Sequence, residues 1–158
     1  MKNDSTNKEV LYLGLAVLFV IFVIGIIWTN SKPKAEEYNF PSPKEVVEQY
    51  FTSWNNKDYV NMYAHFSDGF KNIEPTAATL QDFKNYVSSQ NIEEVEIVNI
   101  EEVSNDGQIA SVNYEVIFTL TNDQKISHKD KFTLKSRQGD VIQGWKLIHP
   151  YGENIDNS

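Results

Sequence analysis

Residues 112–134, VNYEVIFTLTNDQKISHKDKFTL, decide the fold class of this chain. On each side of the polar run at 121–124, apolar side chains tend to occupy every second position. A period of two is typical of a β-strand that buries one face. The stretch therefore predicts two long antiparallel strands joined by a turn at 121–124. In the second strand, His128 and Asp130 fall on the same side as the apolar positions.

Two further strands are predicted on either side of this pair. Val95 and Ile97, with Ile100 as a candidate extension, precede the Asp-Gly turn at 105–107, which is a hairpin signal. A last strand carries Trp145 and Leu147, with His149 as a candidate third member. The carboxyl-terminal half of the chain is thus predicted to form an antiparallel meander.

Residues 42–92 have the helical period instead. Ser42 and Glu45 form a capping box around Pro43, and this pattern begins a helix that ends at 55–57. Asp58 caps a second helix, predicted to end at 68–69, and Thr79 opens a third. The predicted apolar faces of the three helices are, in order, Val46, Val47, Tyr50, Phe51 and Trp54; Tyr59, Met62, Tyr63 and Phe66; and Phe83, Tyr86 and Val87.

Helices followed by a long meander predict an α+β domain over residues 43–152, followed by a tail at 153–158. About three helices are expected to pack on one face of a curved antiparallel sheet. About 116 residues remain from Pro43 to the end, which is enough for one domain with one core.

Residues 10–28, VLYLGLAVLFVIFVIGIIW, contain no charge and predict a transmembrane helix. Nineteen residues give roughly 28 Å of helix, close to the thickness of a bilayer core. Val10 and Phe19 belong to this apolar anchor, and Tyr12 and Trp28 lie near its ends, where aromatic rings favour the interface. A cleaved secretory signal is the main alternative. It would have a shorter apolar core and small residues at a cleavage site.

The anchor divides the chain into a tail at 1–9, the span, a linker at 29–42 rich in proline and charge, and the outer domain. Lysines balance across the span, with Lys2 and Lys8 before it and Lys32 and Lys34 after it. The free amino terminus adds charge to the leading segment, and this favours a cytoplasmic amino terminus with the domain outside the cell membrane.

Charge and composition exclude several classes of function. Residues 35–158 contain ten basic and twenty acidic residues, so nucleic acid is not an expected partner. The absence of cysteine excludes disulfides, thiol catalysis and cysteine-ligated metals. No nucleophile elbow, phosphate-binding glycine loop or zinc-binding helix motif is present, and no cofactor is expected.

Three segments give the outer domain a family resemblance: EVVEQYFTSWNNKDYVNMYAHFSDGFK at 45–71, LQDFKNYV at 80–87 and GWKLIHP at 144–150. Together they resemble the nuclear transport factor 2-like superfamily, in particular its membrane-anchored extracytoplasmic members from bacteria and archaea. The resemblance implies a cone-shaped fold in which a bent sheet and helices enclose a cavity. It implies no single activity, because members include isomerases, dehydratases, cyclases, adaptors and secretion-system subunits.

His128 and Asp130 are the candidate catalytic residues. They lie two apart on one strand, so a carboxylate could orient the imidazole and raise its basicity. A structural role is at least as easy to explain, since both lie near the turn, where polar groups reach water. His65 and His149 are weaker candidates. No metal site is expected, because the further ligands are missing.

Aromatic residues could line a ligand pocket, although most fall on the faces that build a core. The candidates are Trp54, Tyr63, Tyr114, Phe118 and Trp145. The expected function is a single-pass, membrane-anchored protein that presents a non-catalytic extracytoplasmic binding or adaptor domain, in a cell envelope or in a secretion or conjugation complex. Its expected partner is an envelope protein or a small apolar ligand. The alternative is a cavity-type isomerase or lyase that uses His128 and Asp130 as acid and base.

Overall fold

The computed structural model describes residues 40–150. The predicted transmembrane helix at 10–28 lies outside the described residues, as do the two tails and most of the linker. Within 40–150, no helix is long and apolar enough to cross a membrane.

Four α-helices and one 3-10 turn occupy the first half of the described residues. They are α1 (Pro43–Asn55), α2 (Tyr59–Ala64), α3 (Asp68–Ile73), the 3-10 turn (Pro75–Ala77) and α4 (Leu80–Ser89). The capping box at Ser42 is confirmed, because its hydroxyl accepts from the Glu45 amide and the Glu45 carboxylate accepts from the Ser42 amide. The caps predicted at Asp58 and Thr79 are confirmed too.

The prediction of three helices missed one. Residues 68–69 were expected to end the second helix, but they open α3 instead. Ser67 caps α3 by accepting from the Phe70 amide at 2.9 Å. Phe66 lies between α2 and α3, where it forms an isolated bridge with Leu147. This bridge interrupts the helical pattern, so a tertiary contact separates two short helices.

The sheet has four antiparallel strands in the order of the chain: β1 (Ile92–Asn105), β2 (Ile109–Leu120), β3 (Lys125–Arg137) and β4 (Gly144–Leu147). The predicted meander and its turns at 105–107 and 121–124 are confirmed. Three register shifts interrupt the pairing of β1 with β2. His149 lies beyond the end of β4 and is not a strand residue.

Helices and sheet share one core. Its fully buried side chains come from α1, α2, the 3-10 turn and all strands except β1, and they include Val47, Phe51, Met62, Val116 and Leu134. Two polar side chains at the end of α1 bind its carboxyl-terminal end to β1. Asn55 accepts from the Val95 amide at 3.0 Å, and the Lys57 ammonium donates to the Ile92 carbonyl at 2.8 Å.

Strand β3 is buried over only half of its length. Its second half is packed, with Leu134 fully buried, whereas Ile126 near the turn is 42% exposed. His128 and Asp130 lie in the exposed half. The strict alternation of the sequence thus corresponds to a core face only where the helices cover the sheet.

Candidate ligand cavity

A cavity of about 620 Å³ is lined by residues of α1, α3, the 3-10 turn, α4, β3 and the chain around the end of β4. Its volume is in the range of small-molecule sites. The lining is mainly aromatic and aliphatic. The aromatic lining residues are Tyr50, Trp54, Phe66, Phe70, Phe83, Tyr86 and Phe132.

Tyr50 is the centre of the aromatic wall. Its ring makes edge contacts with Phe66 and Phe132, both at 5.6 Å between centroids, and with Trp54 at 6.1 Å. Burial raises the pKa of the Tyr50 hydroxyl, so this group stays protonated. Phe66 stacks on Phe70 at 4.3 Å. The wall is therefore built from rings that hold one another in place.

One edge of the cavity is polar. Glu74 Oε2 lies 3.4 Å from His149 Nε2, while Glu74 Oε1 accepts from the Thr76 hydroxyl at 2.7 Å and from the Thr76 amide at 3.0 Å. Hydrogen bonds from Thr76, together with His149, hold the pKa of the Glu74 carboxyl below its usual value. Glu74 therefore presents an ionised carboxylate at the cavity.

A second cavity, of about 510 Å³, adjoins the first. It shares Tyr50, Trp54, Tyr86 and Phe132 with the first. His128 lines this second cavity, and its ring lies 5.8 Å from the ring of Tyr114.

His128 and Asp130 do not meet in one site. Asp130 lines a separate, shallower depression of about 450 Å³, while His128 lines the second cavity. The Asp130 carboxylate accepts from the backbone amide of Lys131 at 2.7 Å. The first cavity has neither residue in its lining.

The five pocket candidates are distributed over different parts of the domain. Trp54 lines both larger cavities, and Tyr114 and Phe118 line the second. Tyr63 donates its hydroxyl hydrogen to the Ala77 carbonyl at 3.0 Å. Trp145 is half-buried and packs against the core. Tyr63 and Trp145 are absent from the lining of the cavities described above.

His65 is not part of the cavity lining, and it lies near the buried ammonium group of Lys146. Burial and the nearby Lys146 ammonium lower the pKa of His65 to about 4, so its imidazole is neutral at pH 7. Lys146 itself is 5% exposed and donates to the Ala64 carbonyl at 2.7 Å. Over the part of the chain that the structure describes, no group of three or more His, Cys, Asp and Glu side chains could hold a metal ion.

No protein-family model matches the chain, and no curated protein matches it significantly. Solved structures do resemble it. A SEC-C motif containing protein from Rhodopseudomonas palustris has a TM-score of 0.50 and 12% identity over 68% of this chain and 76% of its own. A second SEC-C motif containing protein, from Psychrobacter arcticus, has a TM-score of 0.49 and 9% identity over 74% of this chain. The match covers 64% of the Psychrobacter protein.

A protein of the NTF2-like family from Streptomyces avermitilis is also among the similar structures. It has a TM-score of 0.44 and 11% identity over 65% of this chain and 87% of its own. NTF2 stands for nuclear transport factor 2. Identities this low concern the fold alone.

Glu74 was missed by sequence reasoning, and His149 was only a weaker candidate. The two residues are 75 positions apart in the chain, and neither has a motif around it. Glu74 precedes Pro75 and caps the 3-10 turn. This local capping pattern was the one signal that could have drawn attention to it.

Proposed function

We propose that this protein is a membrane-anchored binding protein of the nuclear transport factor 2-like superfamily, whose outer domain takes a small, largely apolar ligand. The observation that carries the proposal is the cavity of about 620 Å³ with an aromatic wall and one polar edge. Few convergent polar groups in a mainly apolar cavity are typical of small-molecule sites. In this proposal the bent sheet and the helices form the cone that encloses the ligand.

The anchor is part of the same proposal. Residues 10–28 hold the protein in the cell membrane as a single span, with the amino terminus in the cytoplasm and the domain outside. What supports this is the run of nineteen uncharged, mostly apolar residues. A reporter enzyme that is active only outside the cytoplasm should be active when it is fused after Ser158, and an inactive fusion would reverse the orientation.

The proposal can be tested by comparing the bound ligand in the wild type with that in a variant whose cavity is filled by a larger side chain. Ala77 lines it and is 1% exposed, whereas its neighbour Ala78 is exposed. We expect that small molecules extracted from the purified full chain and identified by mass spectrometry will be present in the wild type and in Ala78→Leu. They should be depleted several-fold in Ala77→Leu.

Circular dichroism shows whether Ala77→Leu keeps the fold, because extra methylene groups in a packed site can cost about 1–3 kcal/mol. If Ala77→Leu disturbs the fold, Thr76→Phe is a second filling variant at the same cavity. Equal ligand content in the filled variants and in Ala78→Leu would contradict the proposal.

A cavity-type isomerase or lyase is the second candidate. The observation that favours it is the carboxylate–imidazole pair of Glu74 and His149 at the cavity edge, since such a pair can transfer a proton. The co-purified compound distinguishes the two functions. A binding protein returns it unchanged after incubation, whereas an isomerase or lyase converts it, and conversion should stop in His149→Gln.

A further inference from the structure

We infer that the cavity selects an organic cation, specifically a methylated ammonium group attached to a small apolar body. This inference rests on the proposed function, because it names the ligand class of the same cavity. Its two supports are the density of aromatic faces and the position of the single carboxylate in the described lining.

Aromatic rings attract cations through the negative potential of their faces. Seven rings line the cavity, and the indole of Trp54 offers the strongest attraction of the three aromatic types. Tyr50 and Phe66 meet edge to face, with 73° between their planes, so the wall presents ring faces in different directions. Recognition of quaternary ammonium groups by several aromatic faces is a common use of this arrangement.

Glu74 supplies the complementary charge. Thr76 occupies Oε1 with two hydrogen bonds, whereas Oε2 lies 3.4 Å from His149 Nε2. A carboxylate oxygen can accept more than one partner, so Oε2 retains capacity for a ligand. The Glu74 side chain is 29% exposed, which leaves it within reach of a ligand in the cavity.

Besides Glu74 and His149, which contacts it at 3.4 Å, the described lining has one charged side chain, Lys131, and this lysine does not oppose a cation at this edge. Lys131 is an exposed neighbour of Phe132 in β3. Because adjacent residues of a strand point to opposite faces, Lys131 points away from the face on which Phe132 packs against Tyr50. The excess of acidic residues in the outer domain further raises the local concentration of cations.

Choline and 3,3-dimethylbutan-1-ol test this inference, because they have the same shape and differ only in the positive charge. Calorimetric titration uses the full chain in maltoside micelles, and both probes are soluble in water. We expect choline to bind the wild type at least tenfold more tightly than the neutral alcohol. Glu74→Gln should reduce this difference several-fold by weakening choline alone, while the aromatic faces keep part of the preference for choline.

Unchanged affinity for the neutral alcohol in Glu74→Gln shows that the cavity is intact. Glu48→Gln is the matched control, because Glu48 is an exposed carboxylate on α1 with a 3.8 Å contact to Lys44, outside the cavity. It should bind as the wild type does. Equal binding of the two probes, or no binding of choline, overturns the inference. If a co-purified ligand is still lost on filling the cavity, the proposed function stands even then.

Discussion

At the scale of single residues, the sequence predicted which face of a strand a side chain occupies, but it did not predict which side chains line the cavity. His128 and Asp130 were predicted to share a face because strand alternation is local, and they do share the face that points toward the helices. The sequence does not show how far the helices extend over that face. The helices cover Leu134 but leave Ile126 substantially exposed, so the pair lies in the uncovered half. Glu74 and His149 meet only through tertiary folding.

His65 makes the stability of the domain dependent on pH. Burial lowers its pKa from 6.5 to about 4, so between these values the unfolded chain binds a proton that the folded chain does not. The free energy of unfolding should therefore fall as the pH drops through this window, and this group should add no dependence above it. We expect a loss of about 1–2 kcal/mol between pH 7.5 and pH 5.

Urea unfolding of the full chain in maltoside micelles at these two pH values measures this loss. His65→Gln replaces the imidazole by a group that does not titrate, so its unfolding free energy should change less over the same interval. The same pH dependence in the variant and in the wild type would show that other groups are responsible.

At the scale of elements, local signals predicted the beginnings of helices well. Ser42, Asp58 and Thr79 were recognised because an N-cap satisfies backbone donors within its own turn. Helix α3 was missed because its cap, Ser67, is fully buried, and its amide donates to the Leu147 carbonyl at 2.9 Å. The position of α3 therefore depends on β4, which lies 80 residues further along the chain.

Asp140 connects the loop between β3 and β4 to the start of α3. Its carboxylate accepts from Arg137 Nε at 2.9 Å and from the Asp68 amide at 3.0 Å, and both Asp140 and Arg137 are buried. Asp140→Asn removes the charge that compensates the buried guanidinium. Because loss of one partner in a buried pair is costly, we expect the free energy of unfolding to fall by about 3–5 kcal/mol.

Thermal and urea unfolding measure this effect, and Asp123→Asn is the matched control. Asp123 is exposed in the turn between β2 and β3, with φ at 64°, a conformation that asparagine tolerates. The control should change the unfolding free energy by less than about 0.5 kcal/mol. A similarly small effect of Asp140→Asn would mean that the buried pair contributes little.

At the scale of the whole molecule, the α+β class and the antiparallel meander followed from two periodicities in the sequence. The sequence has a period near 3.6 before residue 92 and a period of two after it, and burial sets both periods. The structure accordingly has its helices before residue 92 and its strands from there on. The cavity could not be predicted in this way. It depends on where α1, α4 and β4 end relative to one another, and periodicity carries no information on these lengths.

Because helices and sheet share one core, the described domain should unfold in a single cooperative step. Met62 on α2 is fully buried in that core, whereas Val60 on the same helix is 62% exposed. Met62→Ala should lower the free energy of unfolding by about 2–5 kcal/mol, and Val60→Ala should change it by less than about 0.5 kcal/mol.

Far-UV circular dichroism reports the helices and sheet, and near-UV circular dichroism reports the packing of the aromatic wall. In both variants the two signals should change together, since the loss of one core contact weakens the whole domain. Earlier loss of the near-UV signal in Met62→Ala would show instead that the helices around the cavity unfold separately from the sheet.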